Sequence, residues 1–107
     1  FKNMNRTKRI ETILKKYFIE TNISVINNSS LHKGHNNFDG KGETHILIKF
    51  YKSSELNLSR LEIHRKINSL LKEEFESGLH SLEIKIIWLF LLQFLIFAFL
   101  NVIKLYN

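Results

Sequence analysis

Apolar residues recur along this 107-residue chain with two different spacings, one typical of helices and one typical of strands, and the segments with each spacing follow one another. This pattern constrains the fold more than any other feature. Between Arg6 and Ile19, apolar residues recur at the three- and four-residue spacing of one helical face, and lysines and arginines take the outer face. These apolar residues are Ile10, Ile13, Leu14, Tyr17 and Phe18. A second helix is predicted to open at Ser59, because Ser59-Arg60-Leu61-Glu62 has the pattern of a capping box, and to end before Gly78. Its predicted apolar face consists of Ile63, Ile67, Leu70, Leu71 and Phe75.

Three other runs alternate apolar and polar residues with the two-residue period of a strand: Ile23 to Asn27, Glu43 to Tyr51 and His80 to Ile86. The order is therefore helix, strand, strand, helix, strand. This order predicts an α+β layer, in which a right-handed crossover through the second helix makes the second and third strands parallel. A polar stretch from Asn28 to Gly42 joins the first two strands, and loops of that length are often functional or disordered.

The chain contains no cysteine, which limits the chemistry open to it. A disulfide framework, a thiol nucleophile and a cluster held by the chain's own thiolates are all excluded. Any transition metal must be bound through histidine, carboxylate or a partner's sulfur. The formal net charge of +6 permits nucleic acid, an anionic membrane or an acidic protein surface as a partner.

Four short motifs, in this order and spacing, make most of the chain similar to the BolA family. They are Leu31-His32-Lys33-Gly34-His35, Gly42-Glu43-Thr44-His45, Ile63-His64-Arg65 and Ser77-Gly78-Leu79-His80-Ser81-Leu82. The resemblance implies a fold like that of a class II KH domain, with a three-stranded mixed sheet and helices packed on one of its faces. It also implies a protein that is not an enzyme.

Members of this family pair with monothiol glutaredoxins, and the resemblance implies that this chain shares a 2Fe–2S cluster in the same way. The glutaredoxin supplies a cysteine thiolate and bound glutathione. On this side of the cluster, the resemblance assigns the helical ligand to His64 and the loop ligand to His35, with His32 as its alternative. Arg65 and Arg60 are the expected partner-binding residues. Imidazole ligands bind iron only when neutral, so acid should release the metal.

The chain departs from the family pattern in three places, one of which is the Glu55-Leu56 pair, where the family has an aromatic residue shortly before the capping serine. Ile63 stands where the family usually has an arginine, and Asn57 stands where a glycine is usual. These departures bear on partner affinity more than on the fold. The two remaining histidines, His45 and His80, lie in predicted strands, and both are predicted to have structural roles as packing or hydrogen-bonding residues.

Two other functions stay open at this point. His32 and His35, together with a third histidine, have the composition of a zinc site, although nothing else in the loop suggests a closed tetrahedral site. A nucleic-acid-binding transcriptional regulator is the main alternative, since KH-like folds can bind single strands. KH recognition depends on a GXXG loop, however, and no such sequence occurs in this chain.

The apolar tail divides the chain into a predicted BolA-like domain, residues 1–87, and a C-terminal segment, residues 88–107. From Ile86 to Leu100, Gln93 is the only polar residue. A helix that is apolar on all sides cannot be covered by packing one face. The tail is thus interpreted as a membrane anchor, as a helix buried on the sheet or in a dimer, or as an artefact of the gene assignment. A mitochondrial location is expected in preference to a cytosolic one.

Overall fold

A computed structural model of the chain describes residues 4–29, 42–53 and 56–106. The elements follow the predicted order, with a break in the second helix and a further helix in the apolar tail. They are α1 (Arg6–Tyr17), β1 (Asn22–Asn27), β2 (His45–Lys52), α2 (Arg60–Leu70), α3 (Lys72–Glu76), β3 (Ser81–Trp88) and α4 (Leu89–Tyr106).

The three strands form one mixed sheet in the order β1-β2-β3. β1 pairs antiparallel with β2, and β2 pairs parallel with β3, so that Ile48 lies between Val25 and Ile84. This confirms the parallel pairing predicted for the second and third strands. Because β2 is central, its alternate residues Ile46, Ile48 and Phe50 are almost fully buried.

The helices cover the sheet face that carries these three residues and build one core with it. Phe18, at the end of α1, meets Phe50 edge-on, with ring centroids 4.9 Å apart. The predicted helical faces supply most of the other fully buried side chains, which are Ile10, Leu14, Ile63, Ile67 and Leu71. The molecule thus has the predicted α+β architecture, in which helices pack on one face of a three-stranded mixed sheet.

The second predicted helix is divided at Leu71. Its capping box is present, because the Ser59 hydroxyl accepts from the Glu62 amide and the Glu62 carboxylate accepts from the Ser59 amide. Leu71 has φ −99° and ψ 14°, outside the helical range, and the chain continues as the short α3. Phe75 is 37% exposed after this break, so its predicted place on the apolar face is wrong. Leu79, which is 4% exposed, enters the core instead.

The apolar tail forms α4, which starts one residue later than predicted because Trp88 is the last residue of β3. The large apolar side chains described between Phe94 and Leu105 are 41% to 85% exposed. From Phe94 onward, the tail is therefore not buried on the sheet in the single chain. The molecule is elongated, with extents of 56 × 32 × 26 Å. Within the part of the chain that the structure describes, no helix is both long enough and apolar enough to cross a membrane.

Candidate functional site

His64, the ligand implied by the resemblance, lies in the second turn of α2 and is half-buried. Two residues further on, Lys66 places its amine 4.5 Å from the centre of the Tyr17 ring, beside the C-terminal end of α1. Since successive helical residues turn by about 100°, His64 and Lys66 point about 160° apart, and His64 faces away from α1. This half of α2 lies toward the end of the sheet where β2 finishes, because α2 follows β2 and leads back to the start of β3.

The opposite end of the sheet, which we call the loop end, comprises the last residues of β1 and the first residues of β2 and β3. Here Ser29 is 1% exposed, and its hydroxyl accepts from the amides of Thr44 and His45 at 3.1 and 3.2 Å. The Thr44 carbonyl accepts from the amides of His80 and Ser81 at 2.8 and 3.0 Å. These bonds hold the starts of β2 and β3 side by side.

The two histidines predicted to be structural meet at the loop end. The ring centroids of His45 and His80 are 6.2 Å apart. Nδ1 of His45 lies 2.9 Å from the Thr44 hydroxyl, in agreement with the predicted hydrogen-bonding role. His80 is held through its backbone, while its side chain is exposed. The sequence-based prediction did not give His80 an accessible imidazole. A histidine at the start of each of two parallel strands would have indicated that the two side chains lie close together.

The predicted loop ligands His35 and His32 lie outside the described residues. Their segment, residues 30–41, leaves the described structure after Ser29 and returns at Gly42, both at the loop end. The structure therefore brings His45 and His80 together near the attachment of this segment, and it places His64 toward the other end of the sheet.

An ion-pair cluster that the sequence did not predict ties α1 to the loop end. Glu74 of α3 has 8% of its side chain exposed, and its carboxylate binds Arg6 at 3.1 Å and Arg9 at 2.9 Å. The Arg6 guanidinium also donates to the backbone carbonyls of Glu43 and Ser77 at 2.8 and 2.9 Å. The predicted place of these two arginines on the outer basic face of the first helix is wrong, because a buried carboxylate holds them. The basic surface that α1 can offer to nucleic acid is correspondingly smaller.

Glu43, the residue before Thr44, stabilises the N-terminus of α1 from outside the helix. Its carboxylate accepts from the backbone amides of Arg6 and Thr7 at 2.8 and 3.0 Å, and from the Thr7 hydroxyl. Burial acts to raise the pKa of Glu43, but the hydrogen bonds from Thr7 and Arg6 outweigh it and leave that pKa below its ordinary value. The hydrogen bond from Arg9 is the main cause of a lowered pKa at Glu74. Both carboxylates are therefore charged at neutral pH.

The two expected partner-binding residues, Arg60 and Arg65, are exposed but do not form one surface. Arg60 is the first residue of α2 and shares a helical face with His64, four residues on. Arg65 instead lines a groove of about 300 Å³ between α1 and α2, together with Tyr17 and Lys66. A partner that contacts Arg60 beside His64 would therefore not reach Arg65 through the same face of the helix.

No complete metal site is present in the described part of the chain. Among residues 4–29, 42–53 and 56–106, no group of three or more histidine, cysteine, aspartate or glutamate side chains is arranged to hold a metal ion. His45 and His80 form a pair, and the chain has no thiolate to add to it. A complete site at the loop end would need donors from residues 30–41 or from another molecule.

Known proteins resemble this chain in sequence and in structure. Residues 14–87 match the family model for BolA-like proteins. An uncharacterized protein from the cobS 5′ region of a Sinorhizobium species is 41% identical over 83 residues, which are 77% of this chain and 89% of that protein. The BolA domain of SufE1 from Arabidopsis thaliana is 32% identical, with a TM-score of 0.64 over 79% of this chain and 93% of that domain. BolA1 from the same plant is 29% identical, with the same TM-score and the same two coverages.

The family match runs from Leu14 in α1 to Ile87 in β3, and so includes β1, β2, α2, α3 and the whole loop end. It covers well over half of the chain, and the two plant structures share the arrangement of the sheet and helices. The chain therefore belongs to the BolA-like family.

Proposed function

We propose that this chain is a non-enzymatic factor in iron–sulfur cluster assembly or trafficking, which shares a 2Fe–2S cluster with a monothiol glutaredoxin through histidine ligands. The observation that carries the proposal is the position of the exposed His80. It lies at the loop end, where the segment that contains His32 and His35 joins the described sheet. Membership of the BolA-like family supports the same function.

The donors available in the chain fit half of such a cluster. Imidazole is a competent ligand for a 2Fe–2S centre, as in sites where two histidines replace two thiolates on one iron. The chain has histidines but no cysteine, so the thiolate donors must come from the partner and its glutathione. When bound, the cluster would supply an iron–sulfur unit for transfer or for sensing, while this chain would hold one side of it.

Two described histidines compete for the role of second ligand beside His35 or His32. The family resemblance implies His64. The topology favours His80, because His80 and the attachment points of residues 30–41 lie at the same end of the sheet, whereas His64 lies toward the other end. We therefore take His80 as the preferred ligand and retain His64 as its competitor.

The test mixes the protein with a monothiol glutaredoxin, glutathione, iron and sulfide, and records visible circular dichroism. A shared cluster should give a spectrum different from that of the glutaredoxin homodimer, because its ligands differ. If His80 is the ligand, His80→Ala should abolish this difference and His64→Ala should leave it intact; the reverse result would assign the role to His64. A spectrum equal to that of the glutaredoxin homodimer would exclude the proposal.

Two further measurements complete this test. His35→Ala and His32→Ala, made separately, should identify the loop ligand by the same spectroscopic criterion. The His80→Ala and His64→Ala variants should also keep the thermal midpoint of the wild-type protein, since His80 is exposed and His64 is outside the core. A lost spectrum in a variant that remains folded then reports ligation and not unfolding.

A further inference from the structure

β3 is an edge strand whose outer side is available for pairing. β2 occupies one side, and no other strand among the described residues pairs with the opposite side. Such an edge presents a row of backbone amides and carbonyls to another chain. Along β3, Glu83 and Lys85 are exposed on the sheet face away from the helices, and Leu82, Ile84 and Ile86 are half-buried against the core.

We propose that β3 pairs antiparallel with β3 of a second copy of this chain, around a twofold axis at Ile84. Directly opposite residues of an antiparallel pair lie on the same sheet face. In this register Glu83 of each copy faces Lys85 of the other, which gives two symmetric ion pairs. On the helix face, Leu82 faces Ile86 of the other copy, and the two Ile84 residues face each other, so both cores continue across the interface.

The charge pattern of the strand selects this register. Moving the axis to Glu83 brings two glutamates face to face, and moving it to Lys85 brings two lysines face to face. A twofold axis that passes between two neighbouring residues would place the charged residues of one copy opposite apolar residues of the other. The arrangement centred on Ile84 avoids each of these conflicts, and it is isologous, as a closed dimer requires.

The same two charges have an alternative role, because charged residues on an edge strand often prevent pairing. Several charges of one sign along the strand would repel the same strand of a second copy in every register. Glu83 and Lys85 have opposite signs, so they attract Lys85 and Glu83 of a second copy in the register centred on Ile84. The other edge strand, β1, has the sequence Asn-Ile-Ser-Val-Ile-Asn and carries no charge with which to select a register. These differences favour β3 as the surface for a second copy.

The experiment measures the oligomeric state of the full chain by sedimentation over a range of protein concentrations. The wild-type protein should form a dimer that dissociates on dilution. Glu83→Lys and Lys85→Glu should each weaken the dimer by about tenfold or more, since each turns two attractive cross-strand pairs into two repulsive ones. The double variant, Glu83→Lys with Lys85→Glu, should restore the dimer because it exchanges the charges and keeps them complementary.

Matched controls separate this interface from other effects. Glu76→Lys and Lys72→Glu make the same charge changes at exposed positions of α3 and should leave the dimer unchanged. Association through the exposed apolar α4 would be equally strong in all of these variants, and that result would overturn the proposal. A wild-type protein that is monomeric at every concentration would overturn it too, as would a double variant that stays dissociated.

Discussion

A carboxylate as buried as that of Glu74 costs folding free energy unless its oxygens are bonded to donors. Here one oxygen accepts from Arg6 Nε and Arg9 Nη2 at 3.1 and 2.9 Å, and the other accepts from Arg9 Nε at 3.0 Å. Because the arginines belong to α1 and the glutamate to α3, this cluster fixes the helices to each other just before the chain enters β3. The position of His80 therefore depends on Glu74, although the two side chains have different roles.

We predict that Glu74→Gln lowers the free energy of unfolding by about 2–4 kcal/mol at pH 7, because it leaves two arginines without a charged partner. The pKa of Glu74 is lowered in the folded state. Its contribution is therefore complete above the unfolded pKa of about 4.3 and is lost as the pH falls through the folded value. Urea denaturation of wild type and variant should show a difference that shrinks with acidification.

The exposed Glu76, two residues further on, provides the control for this prediction. Glu76→Gln should change the free energy of unfolding by less than about 0.5 kcal/mol, as surface substitutions usually do. A difference between wild type and Glu74→Gln that stays constant from neutral to acidic pH would contradict the assignment, since an ionised Glu74 must lose its advantage once it is protonated.

At the scale of single elements, the two helix N-termini show what sequence can and cannot predict. The start of α2 was predictable because Ser59 and Glu62 are three residues apart and bond to each other. The start of α1 is completed by Glu43, which is 36 and 37 residues from the amides that it binds, and no local pattern records that contact. The division at Leu71 was likewise missed, since the apolar spacing continues through it to Phe75.

We predict that Ser59→Ala destabilises the protein by about 1 kcal/mol, because the Glu62 amide at the first turn of α2 loses its acceptor. Ser59→Asp should retain most of the stability, since aspartate also caps helices well. Glu62→Gln should be nearly neutral, because glutamine can complete the same box. The midpoints of urea denaturation measure all three, and equal midpoints for Ser59→Ala and Ser59→Asp would show that the cap contributes nothing.

The candidate site results from the way in which the strands of the sheet pair, and not from any one sequence motif. The motif around His64 is the more recognisable in sequence, but the parallel register of β2 and β3 places His80, not His64, beside the attachment of residues 30–41. The order of the strands along the chain was predictable from the alternating pattern, whereas the proximity of the His45 and His80 rings depends on β2 and β3 starting at the same level of the sheet. Sequence alone therefore predicted the family fold, and its histidine-based chemistry stays a prediction; it did not indicate that His80 lies at the loop end.

At the scale of the whole molecule, α4 is separate from the core. Every buried apolar side chain in the described part of the chain lies between Ile10 and Leu79, and the large apolar side chains of α4 that are described from Phe94 onward are exposed. Exposed apolar surface of this extent favours association with other molecules or aggregation. The stability of the sheet and its helices should therefore be independent of α4, whereas the solution behaviour of the protein should depend on it.

We predict that a chain ending at Trp88 unfolds cooperatively, with a free energy of unfolding within about 1 kcal/mol of that of the full chain, because none of the described side chains of α4 belongs to the core. It should also bind less of a hydrophobic dye, since the exposed apolar helix is gone. A chain ending at Ile84 is the matched control: it loses half of β3, including Ile86, which packs against the core, and should not fold stably. Thermal melts followed by circular dichroism distinguish the two. Loss of cooperative unfolding in the chain ending at Trp88 would show instead that α4 is part of the folded unit.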